Sequence, residues 1–536
     1  MLSVVLSIFL SIFTPPVDYE ISLAGNFGEP RPNHFHGGLD VRTEGVEGKH
    51  IYAIADGYVS RVTVGLYGFG NAVYITHPTG HTSLYCHLKS FSPRIKRALR
   101  RYQYQHKTSV ADAHLSPLEV PVSQGQFIAL SGNSGSSTAP HLHLEIHDTR
   151  TWNMLDPYRF LNDFIQDTVP PQAHGFMAIP QGGTFNGSTN STLLPPTGRT
   201  EGDSAWGPVG FAVWADDYMQ GAYNHYGIHE TMLYVDGEMA FHSVVDDIPT
   251  SKNRMVNSWG YYDHWLHHRR WYMKSFIEPG NTLPFLTADK NRGIIDFNEE
   301  RDYHLEYVLR DYKGNEARYP FTVKGTPVPS VRYAAAVPQP ILRWNRTNTY
   351  SRPGLQLIVP YGLIAADAAI TPIVTRQPDA CSDAYQFSDT SLPLMRDALL
   401  SIYARQAKDS GRLYITDERG RYFGGDCHDG WVTARIRDLG ARYELAYDDQ
   451  PPTVQPISLN GNSLLLSVTD AQSGIASWTA TVDDRFIVFD AIEKSTTFAC
   501  VLPESWLRPS GRDHRFRFEA TDNCHNTSIY ETTFNY

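Results

Sequence analysis

The chain has 536 residues, too many for one hydrophobic core, and at roughly 150 residues per domain it divides into several modules. Charged residues at 19% and aromatics at 12%, with 31 tyrosines, exclude a disordered chain and fit β-rich extracellular modules. The formal net charge of −11 excludes a general attraction to nucleic acid or to an anionic surface.

The apolar run Leu2–Phe13 has the length of a signal-peptide core and is too short for a bilayer span. It predicts a signal peptide over residues 1–14, export to the periplasm or cell surface, and no transmembrane anchor after cleavage. The Gly25–Asp40 region reads as a loop in which His36 and Asp40 stand four apart across Gly37-Gly38, a pair that predicts a tight turn folding both side chains around one ion. Strands follow at Ile51–Ala55 and Tyr58–Val64, with Asp56-Gly57 as a hairpin signal between them. Turns at Gly68–Asn71 and Pro78–Gly80 lead through Ala72–His77 into Thr82–Leu88, an antiparallel meander whose last strand carries Tyr85 and His87 on one face. Ser92-Pro93 starts a helix whose basic run, Arg94–Arg101, reads as a solvated face. Phe127–Leu130 is a strand, and the small-residue loop Gly132–Ser137 delivers the chain into Ala139-Pro140-His141-Leu142-His143-Leu144-Glu145. That stretch alternates at the period of a strand, so His141 and His143 share a face roughly 6.5–7 Å apart. The first module covers residues 15–168.

Residues 169–326 alternate like strands around a Gly/Ser/Thr/Asn loop from Gln181 to Ser204. They end in Tyr303–Asn315, where a D-x-x-G-N turn breaks the alternation. A matching layout closes the chain at Arg515–Asn526, so residues 169–326 and 450–536 read as related immunoglobulin-like β-sandwiches. Between them, residues 327–449 are β-rich with a short helix near Leu394–Arg405. The cluster Asp263–Trp271 reads as a loop or strand of the first sandwich. Of the five cysteines, sequence proximity pairs Cys381 with Cys427 and Cys500 with Cys524, leaving Cys86 as a buried thiol.

The residues of the first module able to bind a metal or move protons are His36, Asp40, His87, His141 and His143, whereas His34, His50 and His147 read as structural or surface histidines. Two histidines and a carboxylate make a zinc triad with the fourth position open to water, and two histidines remain for proton transfer. The ordered set H-x-x-x-D (His36, Asp40), Y-x-H-L (Tyr85, His87, Leu88), S-G-N-S-G (Ser131–Gly135) and H-L-H (His141, His143) resembles the lysostaphin-type zinc metallopeptidases, which cleave peptide cross-links in peptidoglycan. The resemblance spans about residues 20–165. It implies an antiparallel sheet with an open groove, Zn2+ held by His36, Asp40 and His143, and His87 with His141 as the catalytic pair. Glu145, on the strand face of both histidines, is a candidate partner of a ligand. The stretch Pro93–Glu119 exceeds the compact family pattern and could wall the groove.

The fold class expected is therefore mainly β, an antiparallel-sheet metallopeptidase domain followed by β-sandwich (immunoglobulin-like) domains. The function expected is a zinc endopeptidase acting on peptidoglycan, with an envelope protein as a possible further partner. Two other classes compete: a non-enzymatic peptidoglycan-binding or hydrolase-activating module of the same fold, and a surface adhesin.

Overall fold

A computed structural model describes residues 12–196, 202–328, 339–405, 409–460, 463–492, 494–502 and 511–535. Of the Leu2–Phe13 run read as an export signal, only Ile12 and Phe13 fall among them. Among the described residues no helix is long and apolar enough to cross a membrane. The chain forms two compact units, one of Met1–Gly28, His36–Thr168 and Met219–His225, the other of Glu29–Phe35, Val169–Tyr218 and Tyr226–Tyr536.

The first unit is built on an antiparallel sheet. Its strands run in the order Leu23–Gly25, Gly38–Arg42, His141–Asp148, His81–Cys86, Ala72–Thr76, Gly57–Val64, Ala111–His114. Strand alternation sets its faces: Leu142, Leu144 and Ile146 are buried on one side of His141–Asp148, which sends His141, His143, Glu145 and His147 to the other. This strand lies between Gly38–Arg42 and His81–Cys86, so the first and last sequence motifs become neighbours; His143 stands opposite Asp40 on one side and Cys86 on the other.

Two local expectations are corrected in this unit. Asp56-Gly57 closes no hairpin, because the preceding run is drawn away: Tyr52 N bonds to Pro16 O, and His50–Tyr52 pairs with Phe127–Ser131 in a separate three-stranded sheet. Gly57 already belongs to the next strand, where a Cβ would stand 2.4 Å from Thr76 O. Gly37-Gly38 is not a tight turn either, since Gly38 opens the Gly38–Arg42 strand. The two glycines serve close approach, for a Cβ at Gly37 would lie 2.5 Å from Glu145 Oε1 and one at Gly38 2.1 Å from Leu144 O. The Pro93–Glu119 stretch supplies helix Pro93–His106 and strand Ala111–His114, and that strand extends the sheet at the edge away from Gly38–Arg42. The helix buries Ile95, Ala98, Leu99 and Gln103 and exposes Arg94, Lys96, Arg97 and Arg101, the solvated face its pattern predicts.

In the second unit the long strand Ser204–Asp216 pairs antiparallel with Gln172–Pro180 and, at its first two residues, parallel with Lys324-Gly325. Phe176, Tyr307 and Phe321 stack in the core of this region. Residues 339–448 contribute a five-stranded and a four-stranded sheet over a core that includes Leu357, Leu400, Ile402 and Ile415. The last sandwich pairs two four-stranded sheets around Leu464, Leu466, Phe489, Phe516 and Phe518.

Here too the structure departs from the sequence reading. Leu394–Arg405 is no helix, because Pro393–Tyr403 is a strand that buries Ala398, Leu400 and Ile402 and turns Leu399, Ser401 and Tyr403 outward, a period of two. Tyr262–His268 is a short helix rather than a loop or strand. All five cysteines are free thiols. Cys500 sits on a strand of one sheet of the last sandwich, while Cys524 follows a strand of the other and turns its thiol toward Arg412 O at 3.7 Å, so nearness in sequence is not nearness in space. Cys381 and Cys427 pack against the core of residues 339–448 as separate thiols, and Cys86 is wholly buried as expected.

Candidate metal centre

The sheet brings three donor atoms into one triangle. His36 Nε2 lies 2.9 Å from Asp40 Oδ1 and 2.9 Å from His143 Nδ1, and His143 Nδ1 lies 2.8 Å from Asp40 Oδ1. All three side chains are buried. Each histidine commits its other nitrogen elsewhere: His36 Nδ1 donates to Asn26 O at 2.5 Å, and His143 Nε2 donates to Glu145 Oε1 at 2.9 Å. Those bonds occupy the outer nitrogens and leave His36 Nε2 and His143 Nδ1 directed at the shared point, the arrangement of histidines that hold a metal once it displaces the inner proton. Two nitrogens and one carboxylate oxygen suit zinc, whose ligand atoms stand roughly 3.3 Å apart around tetrahedral bonds of about 2.0–2.1 Å. Thus His36, Asp40 and His143 fit a metal ion by donor type and by the atoms they turn to one point, which at 2.8–2.9 Å need only spread slightly to take it.

Charge is arranged around this triangle. Burial would raise the Asp40 carboxyl, but the His36 charge and hydrogen bonds from His141, His143 and His36 hold it well below the usual carboxylate range. Burial pushes His143 down, and the hydrogen bonds and charges of Asp40 and Glu145 outweigh it, lifting the group to about 9. Glu145 is held below its ordinary range against burial by His143 and by His147, whose Nε2 lies 2.6 Å from Glu145 Oε2. His147 in turn stacks on Trp152 at 4.5 Å between centroids. Sequence reasoning gave His147 no part in the site. The i, i+2 alternation that joins His143 to Glu145 extends to it, and that was the available signal.

His87 reaches the site by breaking the alternation. Tyr85 stands opposite Leu144 on the core face, where its hydroxyl accepts from Ile54 N at 2.9 Å. A continued strand would point His87 the same way. Instead the strand ends at Cys86 and His87 takes a left-handed backbone, φ 59°, which carries its ring to 5.0 Å from that of His141 and 5.8 Å from that of His143. The pairing of Tyr85 and His87 on one face is therefore corrected. Ser134 O accepts from His87 Nδ1 at 2.8 Å, and burial followed by the neighbouring His143 and His141 holds the ring down to about 4, a neutral imidazole. The S-G-N-S-G loop is what places that carbonyl: Ser134 Oγ accepts from Asn71 N, Ser136 N donates to Gly68 O, and a Cβ at Gly135 would lie 2.5 Å from Gly68 O. His141 donates from Nδ1 to Ala139 O at 2.8 Å, and its Nε2 stands 3.3 Å from Asp40 Oδ1. Cys86 shares the site's face opposite His143, but burial, then Glu145 and Asp40, push its thiol well up and keep it from acting as a thiolate ligand.

The other flagged histidines lie apart from this group. His34 is exposed and bonds to Pro32 O, and His50 packs against Phe127. In the Asp263–Trp271 cluster, Trp265 stacks on Trp271 at 5.1 Å and Arg269 covers Trp265, a packed aromatic knob.

Residues 34–101 match the model of Peptidase family M23. That segment of the chain is similar to the M23 peptidases. It holds His36, Asp40 and His87 within the matched residues, while His141 and His143 follow it in the same sheet. Residues 339–448, beyond the M23 segment, match a Zu5-like domain. An uncharacterized metalloprotease of Haemophilus influenzae is 32% identical over 120 residues, covering 22% of this chain and 19% of the relative, so the chain spans about a fifth of that relative's length. Among solved structures, the catalytic domain of the antimicrobial peptidase lysostaphin from Staphylococcus simulans is 24% identical over 27% of this chain and 93% of that one, with a TM-score of 0.20. A zinc-containing peptidase from Vibrio cholerae is 27% identical over 26% of this chain and 37% of its own, with a TM-score of 0.19.

Proposed function

We propose that the protein is a zinc-dependent endopeptidase that hydrolyses peptide cross-links or stem peptides of peptidoglycan, working outside the cytoplasm. The observation that carries this reading is the donor triangle of His36, Asp40 and His143, with the outer nitrogen of each imidazole anchored by its own hydrogen bond, flanked by two further histidines. His36 Nε2, Asp40 Oδ1 and His143 Nδ1 would hold the metal. Zinc bound there supplies Lewis acidity toward a peptide carbonyl and lowers the pKa of a water toward about 7.

The chain's own residues do the rest. His87 and His141 each spend Nδ1–H on a carbonyl, Ser134 O and Ala139 O, and so present Nε2 for proton transfer. A neutral imidazole in that tautomer accepts a proton from the attacking water and returns it to the leaving amine, work worth roughly 10²–10⁴-fold in rate. Once protonated, the same Nε2–H donates to the oxyanion. The motif set resembling lysostaphin-type enzymes supports peptidoglycan as substrate, and it is also what supports an exported enzyme.

The test is incubation with zinc and intact sacculi, reading newly freed amino groups for the wild type and for His141→Ala. Release by the wild type alone, with zinc retained in both proteins, is the expected outcome. Equal release by both, or by neither, sinks the reading.

A further inference from the structure

An aromatic side chain stands beside the metal triangle without acting as a ligand or moving a proton. Phe69 lies in the turn Gly68–Asn71, and its ring stacks on that of His143 with 5.9 Å between centroids and 24° between planes. The rings of His36, at 4.8 Å, and His87, at 5.8 Å, also stand against His143, and both belong to buried residues. Phe69 by contrast is 38% exposed. Single exposed apolar side chains are ordinary on a protein surface. This one is set apart by lying against the ring of a proposed metal ligand.

The backbone that carries Phe69 is firmly held. Gly68 and Gly70 both take a left-handed φ of 62°. Ser136 Oγ accepts from Gly68 N and Ser134 Oγ from Asn71 N, each at 2.9 Å, and Phe69 O accepts from His87 N at 3.0 Å. A Cβ at Gly70 would lie 2.5 Å from Gly135 N, so the turn sits directly on the S-G-N-S-G loop. A ring presented on a fixed backbone loses little further freedom when a ligand meets it, and preorganised contacts of this kind favour binding. A phenyl ring offers no conventional hydrogen bond, so it discriminates between ligands by apolar contact. We infer that Phe69 is a specificity-determining residue of this site: its ring receives the aliphatic side chain of a residue beside the bond to be cut, and so favours alanine or a larger aliphatic residue over glycine there. The inference rests on the endopeptidase reading for the place of the scissile bond, and on the stack with His143 for the place of the ring.

The experiment uses the full chain loaded with zinc and carrying His141→Ala, so that binding is read without turnover. Calorimetry compares acetyl-pentaglycine amide with its analogues bearing L- or D-alanine at the central position. The expected result is that at least one alanine peptide binds roughly 3–10-fold more tightly than the glycine peptide, the value of one methyl group against a single ring face. Phe69→Ala should abolish that preference and Phe69→Tyr, which keeps the ring, should restore it, with zinc affinity in both within about threefold of the parent, since neither change touches a ligand or its hydrogen-bond partner. Para-fluorophenylalanine at position 69 leaves the turn intact and guards against misfolding of the Ala variant; its fluorine resonance should shift saturably with the tighter alanine peptide. No binding of either alanine peptide, equal affinity for all three peptides, a preference that survives Phe69→Ala, or a fluorine signal unmoved at saturation would overturn the assignment. Turnover reports separately on the endopeptidase reading. A wild type that prefers alanine peptides through Phe69 yet frees no amino groups from sacculi refutes that reading and leaves the subsite standing.

Discussion

Replacing Glu145 by Gln tests whether the metal triangle depends on the groups behind it. Glu145 is buried and accepts from two imidazoles, His143 Nε2 at 2.9 Å and His147 Nε2 at 2.6 Å. A glutamine of the same shape has one acceptor oxygen for these two N–H groups, so one imidazole must face an amide NH2. Losing a hydrogen bond to a buried charge costs roughly 1.5–3 kcal/mol. At about 1.4 kcal/mol per factor of ten, that is roughly a 10–100-fold loss, if the cost falls on holding His143 in its ligating tautomer. The assay is zinc affinity by competition with a chromophoric chelator, with Co2+ substituted to read the geometry of the centre. A Gln variant that binds zinc within about threefold of wild type, with an unchanged Co2+ spectrum, would refute the reasoning.

Other outcomes separate the roles of the remaining groups. His143→Ala and His36→Ala should lose zinc on gel filtration, whereas His87→Ala should keep it and lose turnover; zinc retained by the first two refutes the ligand assignment. Gly135→Ala, whose Cβ would stand 2.5 Å from Gly68 O at a φ of +69°, should cost roughly 1–3 kcal/mol and displace the Ser134 carbonyl, lowering turnover with zinc still bound. At His87, where φ is +59°, a Gly variant should be about 1 kcal/mol more stable than an Ala variant in denaturant unfolding, and the reverse order would show that the backbone is not held there. Unfolding without reductant should expose five titratable thiols, and fewer would contradict the free cysteines.

Much of the site was legible because a strand states its own geometry. The alternation from His141 through Glu145 implies one shared face, and the structure keeps it through to His147. Long-range pairing was not legible in the same way. Nothing in Asp56-Gly57 reveals that Pro16 and Gln126 claim the run before it, and the helix-like composition of Leu394–Arg405 hides a period of two set by the core at Ala398, Leu400 and Ile402. Glycines carried meaning that their types alone could not sort: Gly37 and Gly38 permit close approach, whereas Gly135 supplies a left-handed turn.

His87 shows why the proposed catalytic constellation departs from the pattern that reveals it. Asp40 and His143 are direct partners across two strands, so their side chains already share a face and need only lean together. Any residue meant to act on what those ligands hold must approach from beyond them, and a regular strand at Tyr85–Leu88 would bury the ring on the opposite, apolar face. The left-handed step at His87 resolves this at a cost of roughly 1–2 kcal/mol. Three backbone bonds hold the step: His87 N to Phe69 O, Leu88 N to Asn71 O, and Ser134 N to His87 O. Two of those acceptors come from the Gly68–Asn71 turn, and the third donor comes from the loop that also receives His87 Nδ1. The glycine-rich segments at 68–71 and 132–135 therefore act on the histidine through its backbone and its ring at once, which ties the S-G-N-S-G motif to chemistry although none of its own side chains belongs to the metal triangle.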